Sequence, residues 1–191
     1  MQSTIAIFPL PNLILFQGAF LSLHIFEPRY RMMIAYTLEC DGELGITSIN
    51  KNSEIESIFG WGKIIKHDAL PDGRSNIILE GYGIAKIQNF QSTDPFIIAD
   101  VEKIPNTYSY LKTEEFQNIL DELLLIIRIY LEKIGMQEAY FQEIARLKTI
   151  PFPLELICSF INCEYSLKQD IFLTFDPMVK AKKLLNLLYK L

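Results

Sequence analysis

Two periods of apolar spacing divide the chain. Up to about residue 110, apolar side chains alternate with polar ones or form short β-branched and aromatic runs, separated by Gly, Pro, Asn and Asp. That is the pattern of strands in a β-rich domain. It predicts strands at IAIF (5–8), stopped by Pro9, at FLSLHIF (20–26), ELGITSI (43–49), GWGKIIKHDAL (60–70), SNIILEGYGIAKIQNF (75–90) and FIIADVEKI (96–104). The fourth and fifth read as a hairpin across PDGR (71–74), where Pro71 pre-sets one turn position and Gly73, after Asp72, supplies a positive φ. Glu27-Pro28 opens one helix within this half, running to about Leu38, because proline suits a first turn and a carboxylate there favours the helix dipole.

After residue 113 the apolar period becomes three and four. Phe116, Ile119, Leu120, Leu123, Ile127, Leu131 and Ile134 mark one amphipathic helix over 114–134. A second is expected around 137–147. A third follows Pro151 or Pro153 through about Asn162. Ser166 is read as an N-cap for 167–173, and Asp176-Pro177 as an N-cap followed by proline for the last helix. The expected architecture is α+β, with a β-rich lobe over 1–110 and a closely packed helical lobe over 111–191.

Composition narrows the function. Among 191 residues, 50% are hydrophobic and 21% charged, which supports a packed core and opposes disorder. The net charge is −5, without the basic excess that displaces counterions from nucleic acid. The three cysteines, Cys40, Cys158 and Cys163, form no CxxC pair and no disulfide framework; they read as reduced, mostly buried thiols of a cytoplasmic protein. Pro9 and Pro11 interrupt the first apolar run, which lacks a basic leader, so it is not a signal peptide, and no stretch has the length of a membrane span.

No familiar chemistry emerges. His24 and His67 belong to no metal-ligand spacing, and a lone strand histidine is commonly a hydrogen-bonded structural residue. There is no GxxxxGK[ST] phosphate loop and no GxSxG elbow. GWG (60–62) and GYG (81–83) are too short and strand-like for a dinucleotide loop and read as strand kinks or bulges, with Trp61 packing inward. The expectation is a protein with no enzymatic activity, no metal and no cofactor.

FPLPNLILFQG (8–18), followed by LHIFEPRYRMMI (23–34), closely resembles the N-terminal substrate-binding domain of Lon proteases, and more closely still stand-alone bacterial forms of that domain. Phe8, Pro9, Phe16, Gly18, His24, Phe26, Glu27, Arg29 and Tyr30 carry the motif here. It continues at Gly60 and Gly62, at LPDGRSNIILEG (70–81) with Asp72, Gly73 and Gly81, and at FIIADVE (96–102). The chain departs at Gln17 and Ser22, where the family often has proline, and at Ile84-Ala85, where it usually has arginine and an aromatic. The resemblance implies a PUA-like, partly open β-barrel with one inserted helix, followed by a helical bundle. It implies recognition of polypeptides, and the family's ATPase and peptidase residues find no positions in these 191 residues.

The apolar front end therefore carries the functional expectation. In FLSLHIF, Leu21, Leu23 and Ile25 share one face, suited to a barrel interior; Phe20, Ser22, His24 and Phe26 share the other. Leu10 is held between prolines, and Met32, Met33 and Tyr36 lie within about a turn of each other on the next helix. Core packing explains the segment as a whole. Against that, Leu10, Phe20, Ser22, Met32, Met33 and Tyr36 are the candidate contacts to an unfolded or apolar polypeptide, with a protease or chaperone as a further partner. Glu27 and Arg29 are read as fixing the strand–helix junction. The alternatives are an RNA-binding PUA-like module, which the acidic charge opposes, and a small-molecule-binding or enzymatic protein using a cleft between the lobes. No membrane partner is expected, and the helix over 114–134 leaves room for a homo-dimer.

Overall fold

The computed structural model describes residues 2–49, 54–105, 112–136, 144 and 146–191. The chain forms two compact units, Met1–Asn106 and Thr107–Leu191.

The first unit holds a six-stranded sheet in the order β2-β5-β4-β3-β1-β6. Its strands are β1 (Gln2–Pro9), β2 (Phe20–Ile25), β3 (Glu43–Thr47), β4 (Ile58–Ala69), β5 (Ser75–Ser92) and β6 (Ile97–Ile104). β1 and β3 pair parallel; the other neighbours are antiparallel. β5 is long enough, at 18 residues, to meet different partners along its length. Ser75–Glu80 faces β2, and Ile84–Ser92 faces β6. The pairings β5–β4–β3–β1–β6–β5 therefore close into a ring, and β2 hangs on β5 outside it. The result is a mixed, partly closed sheet, in keeping with the α+β fold that the family resemblance implies. The expected helix between the second and third strands is α1 (Pro28–Glu39), with Pro28 in its first turn.

The core of this unit is divided. Ile5, Ile7, Phe59, Ala85, Ala99 and Val101 form one buried cluster. The other gathers Ala6, Phe8, Leu15, Ile25, Met33 and Leu44 among its members. Neighbours in β1 enter different clusters because successive strand residues point to opposite faces.

In the second unit, α2 (Glu114–Lys133) is capped by Thr113, whose side chain accepts the Phe116 N–H. It buries Phe116, Leu120, Leu123, Ile127, Tyr130 and Leu131. α5 (Pro177–Leu188) packs on it, capped by Asp176, which accepts the Val179 N–H at 2.9 Å. Between them in sequence lie α3 (Pro153–Phe160) and α4 (Tyr165–Phe172). Lys180 of α5 reaches Glu155 of α3 at 2.7 Å in a largely buried ion pair.

Two expectations change here. α4 starts at Tyr165 rather than after Ser166: Glu164 is already extended and its carbonyl accepts from Leu167 and Lys168, which places Ser166 inside the first turn. α3 ends at Phe160, not Asn162, because Ile161 turns extended. The helix expected around 137–147 falls mostly outside the described residues.

Candidate functional site

The loop between β1 and β2 lies across a window of glycines. A Cβ on Gly60 would stand 1.9 Å from the Leu15 carbonyl oxygen, and one on Gly81 2.0 Å from that of Phe16. Only glycine allows this approach. The loop is then held by backbone bonds in both directions: Gly18 donates to the Gly81 carbonyl at 2.8 Å, and Gly81 donates to that of Ala19 at 2.9 Å. Leu15 and Phe16 are buried beneath it, and Gly18 takes a φ of 76°. The glycines of GWG and EG thus carry a loop rather than a phosphate. The register shift expected of a bulge falls at Trp61/Gly62. Trp61 packs against the cluster of Ile5, Ile7 and Phe59, with the Lys103 ammonium 3.9 Å from its ring centroid.

The EPRYR segment fixes the junction of β2 and α1. The Glu27 carbonyl accepts from Tyr30 and Arg31 at 3.0 Å each, while its carboxylate pairs with Arg29 at 3.0 Å. Arg29 lies over the Tyr30 ring, which packs at 4.3 Å from that of Phe8. Burial raises the Tyr30 hydroxyl above its ordinary pKa. Arg31 covers the PDGR turn so closely that a Cβ on Gly73 would meet its guanidinium at 1.9 Å. Asp72 accepts from the Arg74 side chain and backbone, which holds its carboxyl below the usual range. His24 Nδ1 sits 2.7 Å from Asn76 Oδ1 on the neighbouring strand. These motif residues build and brace the fold around β2. Among the described residues no three His, Cys, Asp or Glu side chains gather into a metal-sized cluster.

Several apolar side chains of this segment stay outside. Phe20, at the start of β2, is 65% exposed and Phe26, just past its end, 59%, with Ser22 and His24 exposed between them. The inner-face residues Leu21 and Leu23 are only half-buried, as are Leu10, Leu13, Tyr30 and Tyr36; all pack against the rim of the cluster containing Met33. Met32 is 48% exposed.

The six candidate contacts therefore fall into three classes. Phe20, Ser22 and Met32 are on the surface. Leu10 and Tyr36 lie at the rim, Leu10 with its N–H bonded to the Thr47 carbonyl at 2.8 Å and Tyr36 with its ring 5.7 Å from that of Phe96. Met33 is fully buried and is withdrawn: its helix position, next to Ile34, points into the core. Phe26, expected in the structural motif, is among the most exposed aromatics of the described residues. The two-residue alternation already placed it on the face of Phe20. Cys40 is exposed rather than buried, whereas Cys158 is buried; all three thiols are free.

β2 has one further property. On an antiparallel ladder, residues bonded to the neighbour alternate with residues whose N–H and C=O point the other way. The Gly81–Ala19 bond sets the parity, so Leu21, Leu23 and Ile25 bond β5, while Phe20, Ser22 and His24 turn their backbone groups outward. Among the described residues no strand pairs with that edge. The strand carries neither Lys nor Pro and its pairing shows no bulge, the devices that usually blunt such edges.

No helix among the described residues is long and apolar enough to cross a membrane. The whole chain aligns with known proteins. It is 26% identical over 199 aligned positions to the Lon protease of Cytophaga hutchinsonii, covering 98% of this chain and 24% of that one. The chain spans about a quarter of the length of the curated relatives it matches. The N-terminal domain of the Mycobacterium avium complex Lon protease shares its fold, with a TM-score of 0.76 at 15% identity, covering 98% of each chain. A Lon N-terminal domain protein from Xanthomonas campestris has a TM-score of 0.71 at 16% identity, covering 96% of this chain and 98% of that one. The family model of the ATP-dependent protease La (LON) substrate-binding domain matches residues 4–190, and the chain belongs to that family.

Proposed function

We propose that this protein is a non-enzymatic binding module for apolar or unfolded polypeptide segments, working as an adaptor or holdase-like factor beside a protease or chaperone in the bacterial cytoplasm. The observation that carries the reading is strand β2 and the residue after it, with Phe20 and Phe26 largely exposed and Leu21 and Leu23 incompletely covered. Met32 extends the apolar exposure onto α1. Large exposed apolar surface on a protein with a good core marks an interaction site. The family's description as a substrate-binding domain points to the same class of ligand. The energy comes from apolar burial, about 25 cal/mol per Å² before the costs of association.

The test is capture of a fluorescent, permanently unfolded model protein, followed by anisotropy. Phe20→Asp places a charge on the surface without touching the core and should weaken capture at least tenfold while leaving the unfolding midpoint unchanged. Leu10→Asp should weaken both, because Leu10 also packs against the cluster. Capture equal to wild type by a folded Phe20→Asp protein would refute the reading.

A further inference from the structure

We infer that the polypeptide is bound as an added β-strand along the outer edge of β2, so that recognition uses its backbone as well as its side chains. The inference rests on the reading of this surface given above and names how the ligand is held. Every other strand of the sheet has at least two partners; among the described residues β2 alone has one. Among the described residues, the outward N–H and C=O groups of Phe20, Ser22 and His24 meet no partner strand and form a row of donors and acceptors at two-residue spacing. An extended backbone satisfies that row; a helix, whose groups bond internally, does not.

The side chains beside the row set the sequence class. One face of an added strand would continue the inner surface and cover the half-buried Leu21 and Leu23 at the rim of the core cluster. The other would lie beside Phe20, Ser22 and His24, a mixed face that accepts small polar residues as well as apolar ones. The favoured ligand is an extended stretch of about six residues, matching the length of β2, with apolar residues at every second position. Prolines at the positions whose N–H faces β2 would be rejected.

The experiment uses the full chain and a fluorescein-labelled octapeptide of alternating Leu and Thr, flanked by lysines for solubility. Two derivatives carry backbone N-methyl groups, one on the Leu positions and one on the Thr positions. In an added strand only one of these sets faces β2. One derivative should therefore bind at least tenfold more weakly than the parent, and the other within about threefold of it. Ser22→Pro removes an outward N–H without breaking a bond to β5, and should cost the parent peptide tenfold, while Ser22→Ala should cost less than twofold.

Equal binding by all three peptides would overturn the pairing while leaving the apolar surface as the binding site. Failure of the parent itself to bind would overturn both readings. A dimer at micromolar concentration that Ser22→Pro dissolves would overturn the pairing in favour of a second copy on this edge. Should Ser22→Pro fail to fold, the peptide pair alone decides.

Discussion

Gly81→Ala strikes the scaffold that presents β2 at the glycine that both receives the loop and hydrogen-bonds it. The new Cβ would lie 2.0 Å from the Phe16 carbonyl oxygen, where an ordinary contact begins at 3.4 Å, so the loop must rise by about 1.4 Å. The obstacle is backbone, with no side chain to swing aside. Overpacking of this kind costs about 1–3 kcal/mol. Lifting the loop also stretches the Gly18–Gly81 and Gly81–Ala19 bonds, each contributing about 1 kcal/mol. The expected loss is about 3–5 kcal/mol, a large part of the stability of a domain this size. Trp61, the single tryptophan, reports it by fluorescence during urea unfolding. Gly42→Ala is the comparison: its φ is +73°, yet the nearest atom to a Cβ is 3.9 Å away. It should lose only the left-handed backbone penalty, about 1–2 kcal/mol. A Gly81→Ala protein no less stable than Gly42→Ala would refute the argument that the loop is seated through glycine.

The adjacent methionines should part company. Met33→Ala opens a cavity in a fully buried site and should cost about 2–5 kcal/mol by urea unfolding, with peptide capture per folded molecule unchanged; Met32→Ala should move stability by less than about 0.5 kcal/mol and weaken capture. Burial pushes the Cys158 thiol up from 9.0 to about 12, so its contribution to stability is complete below pH 9 and is lost as pH rises toward 12. Unfolding measured from pH 8 to 11 should show wild type losing its advantage over Cys158→Ala in that window; a constant difference would show the thiol proton to be unlinked to folding.

Much of the fold was legible because the signals were local. The alternation in FLSLHIF separated Ile25, now buried, from Phe20 and Phe26, now exposed, and Asp176-Pro177 marked a real cap. Met33 was misplaced because adjacent helix positions, 100° apart, can straddle the boundary between core and solvent, and the sequence does not say where that boundary falls. Ser166 was misread for a related reason: a favourable capping residue one turn-position inside the true start looks the same in sequence. The glycines of GWG and GYG read as kinks or bulges, which accounts for Trp61/Gly62, but the approach of Gly60 and Gly81 to Leu15 and Phe16 joins segments distant in sequence. The open edge of β2 was illegible for the same reason, since it depends on which strands close the ring.

The shared strand β5 has a consequence for biosynthesis. β1 leaves the ribosome before the other strands of its sheet, carrying Ile5 and Ile7, but it gains its second neighbour only when β6 arrives, up to Ile104. The ring closes only with residues synthesised late, so the newborn chain carries a sticky, half-matched β1 while the rest of its sheet emerges. A protein that we propose shelters unfinished chains is, during its own making, one of them.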